Sequence, residues 1–262
     1  MPHIFKIDSR VSYGRWIYLN RQEFRKLLLI ISFFMFPLTI FYFSPYIIVE
    51  AASKGIASGS MVVFALLFLS SLVVGRLWCG WFCASGACQS LLMQVNGMDA
   101  RGGRFNLIKY VIWAVWISII VFLAASAGGL HTVNFFYHTE NVVSIDRPLK
   151  FIVYYVVIAV LSVLSLAYGK RAGCHYICWM APFMVIGRKI RNILKYPSLR
   201  LRANKDDCIN CRKCSKICPM SLDVNSMVRN RKMENSECIL CGECVDACPK
   251  DVISYSFSSG VE

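Results

Sequence analysis

CINCRKCSKICP at residues 208–219 and CILCGECVDACP at residues 238–249 repeat one spacing. Each run separates its cysteines by two, two and three intervening residues and ends on proline: Cys208, Cys211, Cys214, Cys218 and Pro219, then Cys238, Cys241, Cys244, Cys248 and Pro249. A C-x2-C-x2-C-x3-C-P loop wraps three thiolates around one iron–sulfur cube and sends the fourth to a neighbouring cube. Zinc also uses C-x2-C pairs, but it has no use for a third cysteine two residues on, nor for the closing proline. A disulfide framework needs an oxidising compartment, whereas the basic residues around this segment put it on the reducing side of a membrane.

Two such halves predict a small α+β, two-cluster bacterial-type ferredoxin domain at residues 201–255, with a tail at 256–262. In the exchange known for this motif, Cys208, Cys211, Cys214 and Cys248 hold one [4Fe-4S] cluster, and Cys238, Cys241, Cys244 and Cys218 hold the other. The remainder of the chain is of another kind. Its 262 residues are only 17% charged with a mean hydropathy of +0.51, against about a quarter charged in soluble domains. The class is an α-helical membrane protein. A net charge of +14 would suggest nucleic acid in a soluble protein, but here the cations flank apolar spans, where they set topology. Nucleic-acid binding is excluded on that ground.

Residues 1–26 carry Lys6, Arg10, Arg15, Arg21, Arg25 and Lys26 around Trp16 and Tyr18, a composition suited to lying along lipid headgroups. The basic region is too long for a cleavable signal, and no small-residue cleavage site follows the apolar run. The membrane domain is expected at 27–200. Four uncharged runs, at about 27–49, 55–75, 110–128 and 151–169, predict four transmembrane helices. Pro37 should kink the first. Cations crowd the N-terminal segment, the second loop (Arg76, Arg101, Arg104, Lys109) and the stretch after the fourth span, from Lys170 to Arg202. The first loop has only Lys54, and the third only Arg147 and Lys150. Both termini and the ferredoxin domain are therefore expected in the cytoplasm of a bacterial or archaeal cell, on a multi-pass inner-membrane protein.

The spans also read as two copies of one helical hairpin. Gly75, Arg76, Cys79 and Cys83 follow the second span; Gly169, Lys170, Cys174 and Cys178 follow the fourth. The stretches after them, 84–98 and 179–187, are expected to be interfacial or re-entrant. If each C-x3-C lies on a helix, its two thiols share a face, and pairing the hairpins brings Cys79, Cys83, Cys174 and Cys178 together. Four thiolates suit a [2Fe-2S] or [4Fe-4S] centre, so a third cluster is expected. A reversible thiol pair and plain apolar packing are the alternatives. Cys88 is left over, with packing its expected role.

These features resemble the membrane polyferredoxins of the NapH type, quinol-dehydrogenase ferredoxin subunits, and the similar C-terminal part of NosR-type proteins. The resemblance covers nearly the whole chain. It departs where those proteins usually carry C-x3-C-P, since Ala84 and Trp179 follow the second cysteines here. The resemblance implies electron transfer between the quinone pool and other subunits of a redox complex, in contact with membrane lipids. A maturation or regulatory factor that delivers electrons to a metalloenzyme is the alternative. A quinone site needs an apolar slot with a few polar groups; His131 and His138, near Phe135, Phe136, Tyr137 and Glu140, are candidates, as is His175 within the second C-x3-C. No nucleophile–base set or phosphate-binding loop is visible, and Gly102-Gly103 and Gly128-Gly129 mark turns.

Overall fold

The structure, a computed structural model, describes residues 20–139, 143–145 and 148–259. Most of the basic N-terminal segment, along with Glu140, Arg147 and the last three residues, lies outside these. Helix α1 (Arg21–Phe34) starts at a reciprocal cap: Asn20 accepts from the Gln22 and Glu23 amides, while Glu23 accepts from the Asn20 amide. After Met35 the chain bends by 59° into α2 (Phe36–Thr39) and a 3-10 turn at Ile40–Phe43. Pro37 sits in the first turn of α2, where a missing N–H is tolerated, so the expected kink is present. Ser44 caps α3 (Pro45–Ser53).

Strand β1 (Ile56–Ser58) follows and pairs in parallel with β2 (Thr132–Asn134). It shortens the second apolar run, because α4 (Gly59–Val74) then has 16 residues, about 24 Å against a hydrocarbon core of about 30 Å. Helices α7 (Ile108–Ser126) and α8 (Phe151–Tyr168) lie where the third and fourth spans were expected. Together with their leading 3-10 turns they are the two described helices long and apolar enough to cross a membrane, and the bent α1–α2 pair makes up to three.

Both α4 and α8 end on a left-handed glycine, Gly75 (φ 61°) and Gly169 (φ 96°). Each is followed by a buried cation and a five-residue helix: α5 (Leu77–Trp81) after Arg76, and α9 (Ala172–Tyr176) after Lys170 and Arg171. The stretches expected to be interfacial or re-entrant form α6 (Ala84–Leu92) and the start of α10 (Ala181–Leu194). They cross over: α10 packs on α4, with Gly187 against Ser71 and the Phe68 carbonyl, and α6 packs on α8, where the Ser165 hydroxyl donates to Gln89 at 3.2 Å.

The C-terminal domain pairs β3 (Ser198–Ala203) with β4 (Ile253–Ser258) in antiparallel register, Ser198 opposite Ser258 and Ala203 opposite Ile253. Short helices α11 (Lys213–Ile217), α12 (Val224–Arg229) and α13 (Glu243–Asp246) lie between the strands. Its core residues Leu201, Met220, Val228, Ile239 and Leu240 belong to one continuous cluster with Phe64, Leu67 and Met184 of the bundle. The domain is docked on the bundle.

Candidate iron–sulfur centres

Each ferredoxin loop bends by the same device. The residues on either side of the second cysteine are left-handed in both: Asn210 and Arg212 around Cys211, Leu240 and Gly242 around Cys241. The third residue after the fourth cysteine is left-handed too, at Ser221 and Asp251. Positive φ is costly for side chains such as leucine and arginine, but alternating hands turn successive N–H groups inward, the concavity that suits anions and iron–sulfur centres. The eight cysteines then separate into two cavities. One is lined by Cys208, Cys211, Cys214 and Cys248 with Pro249, the other by Cys218, Cys238, Cys241 and Cys244. Each contains three thiols of one run and the last thiol of the other. Among the described residues no three His, Cys, Asp or Glu groups converge on a single metal ion; a cluster's ligands surround a cube of atoms instead.

The two cavities differ in surroundings. Cys211 is exposed, and Cys208 and Cys248 are half-buried. Cys218, Cys241 and Cys244 are buried, and burial pushes the Cys218 thiol up to about 12, the Cys241 thiol up to about 11, and the Cys244 thiol up as well. Thiols in such a setting are neutral until a metal takes the place of the proton.

Cys79, Cys83, Cys174 and Cys178 also converge, lining a cavity of about 150 Å3. They do so without sharing helix faces. Cys79 lies in α5 and Cys83 is the N-cap of α6; Cys174 lies in α9 and Cys178 follows its end. The helix breaks because the Cys83 amide turns back to the Trp78 carbonyl (3.1 Å). Thus the assumption of one helical face per pair is corrected, while the meeting of four thiols is observed. Burial and the neighbouring thiols raise Cys83, and burial raises Cys178 to about 12. Arg76 lines the same cavity, fully buried, and its Nε and Nη2 have no hydrogen-bond partner among the described residues. A buried guanidinium with unused donors beside four thiols fits an anionic thiolate-ligated group, which it would both neutralise and hydrogen-bond. Gln89 Nε2 adds a donor to Cys174 Sγ at 3.3 Å. Cys88 lies apart, its sulfur 3.8 Å from Ser162 Oγ.

The four-thiol cavity and the inner ferredoxin cavity are joined by backbone. Gly80, between Cys79 and Cys83, sits so close that a Cβ there would overlap the Ile239 carbonyl oxygen and lie 3.4 Å from Cys241 Cα. Around it, Trp81 Nε1 donates to the Leu240 carbonyl (3.1 Å), Gln22 Nε2 to the Cys241 carbonyl (3.1 Å), and Arg25 to the Gly80 carbonyl while pairing with Glu243. Arg76 Nη1 donates to the Ser236 carbonyl (3.0 Å) and Glu237 (2.9 Å), and Lys109 Nζ meets both Glu237 oxygens at 2.6 Å. Burial opposes the Glu237 charge, but Arg76 and Lys109 outweigh it and hold the carboxyl down at about 2. Arg188 pairs with Glu234 and donates to the Cys238 carbonyl (2.6 Å). Arg76, Lys109, Arg171 and Arg191, counted in the sequence as loop cations that set topology, are fully buried. They make internal contacts, Arg171 donating to the Cys79 carbonyl (2.9 Å) and Arg191 to the Leu199 carbonyl (3.0 Å). The counting of charges does not reveal these contacts, nor does it reveal Gly80.

The histidines do not gather. His138 bonds Glu50 (3.0 Å), which also takes Lys54 (2.9 Å), on the exposed loop after β2, and His131 packs against Gly55. His175 is buried at the domain interface with Nδ1 on Asn106 Oδ1 (3.0 Å), and burial lowers it to about 4, with Glu237 opposing that shift.

Comparison with known proteins finds 4Fe-4S domains in two parts of the chain. Residues 174–261 match a family model described as a 4Fe-4S dicluster domain, and residues 57–98 match one described as a 4Fe-4S binding domain. The first includes Cys174 and Cys178, the second Cys79 and Cys83. Two parts of the chain thus match 4Fe-4S domain models, and the chain also carries helices long and apolar enough to cross a membrane. Among its relatives, the putative electron transport protein YccM of Escherichia coli is 23% identical over 72% of this chain and 54% of its own length. Protein RdxB of Cereibacter sphaeroides is 26% identical over 64% of this chain and 40% of its own. An uncharacterized protein of Methanocaldococcus jannaschii is 23% identical over 78% of this chain and 82% of its own. The chain thus spans about half the length of the first two. No solved structure matches.

Proposed function

We propose that this chain is the membrane-bound iron–sulfur subunit that passes electrons between the quinone pool and a partner oxidoreductase at the cytoplasmic face. In this reading it has three cluster sites in a row: Cys79, Cys83, Cys174 and Cys178 at the membrane surface, then Cys218, Cys238, Cys241 and Cys244, then Cys208, Cys211, Cys214 and Cys248 facing water. Clusters bound there supply one-electron transfer at potentials set by burial, charge and hydrogen bonds. The chain's own residues fix the spacing and the electrostatics. Gly80 admits the inner ferredoxin loop to backbone contact with the membrane pair, and Arg76 provides the buried positive charge and free donors beside it.

The carrying observation is that contact: the loop of Cys238 and Cys241 rests on the loop of Cys79 and Cys83. A soluble carrier merely anchored to lipid would need no such seat. Four crossings are proposed for the α1–α2 pair, α4, α7 and α8, with both termini cytoplasmic. The crosswise packing of α6 and α10 supports a two-fold repeat of the hairpins. The likeness to NapH-type subunits is carried by the two ferredoxin runs and the paired C-x3-C segments.

In proteoliposomes, a short-chain quinol–quinone couple should exchange electrons with the ferredoxin centres, followed by low-temperature EPR, in the intact complex. Cys79→Ser with Cys174→Ser should slow that exchange by about tenfold or more. An equal rate in the double variant would remove the membrane site from the path.

A further inference from the structure

A second cavity, of about 230 Å3, abuts the four-thiol cavity and shares Cys83, Ser85, Trp179 and Met180 with it. It lies between the bent α1–α2 pair and the Val153 side of α8, and its lining is mostly apolar. Trp78 and Phe82 stack at 5.4 Å with 24° between their planes, and Phe43 continues the series at 6.0 Å and 36° from Trp78. Trp179 is held in place by its Nε1–H, which donates to the Phe43 carbonyl at 3.2 Å, and Ser32 ties α1 to the Phe82 carbonyl. The lining hydroxyls are those of Ser32, Thr39, Ser44, Tyr46 and Ser85, and two of them are committed to backbone, Ser32 to the Phe82 carbonyl and Thr39 to the Met35 carbonyl. Flat aromatic surfaces favour offset stacking with another flat ring, and an apolar slot with sparse polar groups is what ligand sites are made of.

We infer that the slot walled by Phe36, Phe43, Trp78, Phe82 and Trp179 binds the flat head of a lipid-soluble redox ring of the quinone class. The inference rests on the electron-transfer reading above for why such a ring belongs here, and on the slot itself for where it binds. The volume is below the roughly 300–1,000 Å3 of sites that enclose a whole drug-sized ligand. It suits a ring whose tail remains outside. Tyr46 (69% exposed) and Val153 (50%) line the slot and are open to the outside, giving that tail a path. On the loop after β2, His138 Nε2 is already engaged with Glu50 Oε1 at 3.0 Å.

The test is photolabelling of the full-length protein in nanodiscs with an azido-quinone, with peptides mapped by mass spectrometry. Label should concentrate at residues 36–46 and 78–85 and be displaced by excess unlabelled short-chain quinone. Val153→Trp, which fills the mouth from α8, should reduce displaceable labelling by about tenfold, whereas Ile119→Trp on the lipid-facing side of α7 should leave it intact. Undisplaced label spread over α7 and α8, or displaceable label on residues 131–138, would overturn the inference. Iron analysis of the same wild-type sample separates the two readings. Displaceable label without iron would sink the electron-transfer proposal and keep the slot, while iron with scattered label would sink the slot alone.

Discussion

The two ferredoxin runs share their spacing, their left-handed positions and their closing proline, yet they live in different surroundings. The outer set has an exposed Cys211 beside exposed Ile209, Arg212 and Lys213. The inner set has three buried thiols, and its loop is clamped to the bundle through Arg25, Arg76, Trp81 and Arg188. Spacing, then, determines which atoms a loop can ligate; its neighbours determine where in a path it sits. The same lesson applies to charge. Arg231 and Asp206 form an exposed pair, whereas Glu237 is enclosed by two cations with no exposure.

Cysteine replacement should break the symmetry of the runs most strongly. Cys211→Ser and Cys241→Ser should each cost about four irons, but only Cys241→Ser should also loosen the seat on the bundle, seen as faster proteolysis between α10 and β3. Equal proteolysis in both would mean that the inner loop is not a docking element. Next in size is the ion cluster. Glu237→Ala leaves Arg76 and Lys109 buried without their partner and should destabilise the docked state by about 3–5 kcal/mol. Asp206→Ala should change it by about 0–1 kcal/mol. Thermal inactivation in detergent would rank the two.

A smaller effect is expected at the contact itself. Gly80→Ala forces the Ile239 carbonyl aside and should cost about 1–3 kcal/mol, with weakened magnetic coupling between the inner centre and its membrane neighbour in EPR. Gly97→Ala, whose nearest neighbour is the Met93 carbonyl at 3.7 Å, should do neither. Smallest is the loop after β2. Lys54, then His138, hold Glu50 down at about 2 from the usual 4.5. A depressed carboxylate stabilises the fold above its unfolded value and loses that contribution as pH falls from 4.5 toward 2. Hydrogen exchange around Tyr137 should therefore quicken over that window, and Glu50→Gln should abolish the dependence. A dependence that survives the substitution would assign it elsewhere.

How much of this was legible in the sequence depended on the range over which each feature is encoded. The eight ferredoxin thiols were legible because each run carries its spacing whole within a short segment, while their exchange between the two sites came from the pattern known for the motif. The third and fourth apolar helices and the bend at Pro37 were legible for the same reason. The second span was read too long, since Ile56–Ser58 is as apolar as a helix but is drawn into a strand by Thr132–Asn134. The C-x3-C pairs were placed on single helices because spacing alone cannot show that the Cys83 amide returns to Trp78. Arg76 was visible as a cation next to a glycine, but its burial depends on Glu237, 161 positions away. Gly80 carried no signal, because its reason is the carbonyl of Ile239.

The most direct test of the three-site account is anaerobic purification followed by iron quantification, on wild type and on Cys79→Ser with Cys174→Ser. The account predicts more iron in wild type than the roughly eight atoms of two cubes, about ten for an added [2Fe-2S] centre or twelve for a third cube. The double variant should lose only that excess and keep its ferredoxin EPR signals. About eight irons in both proteins would contradict it.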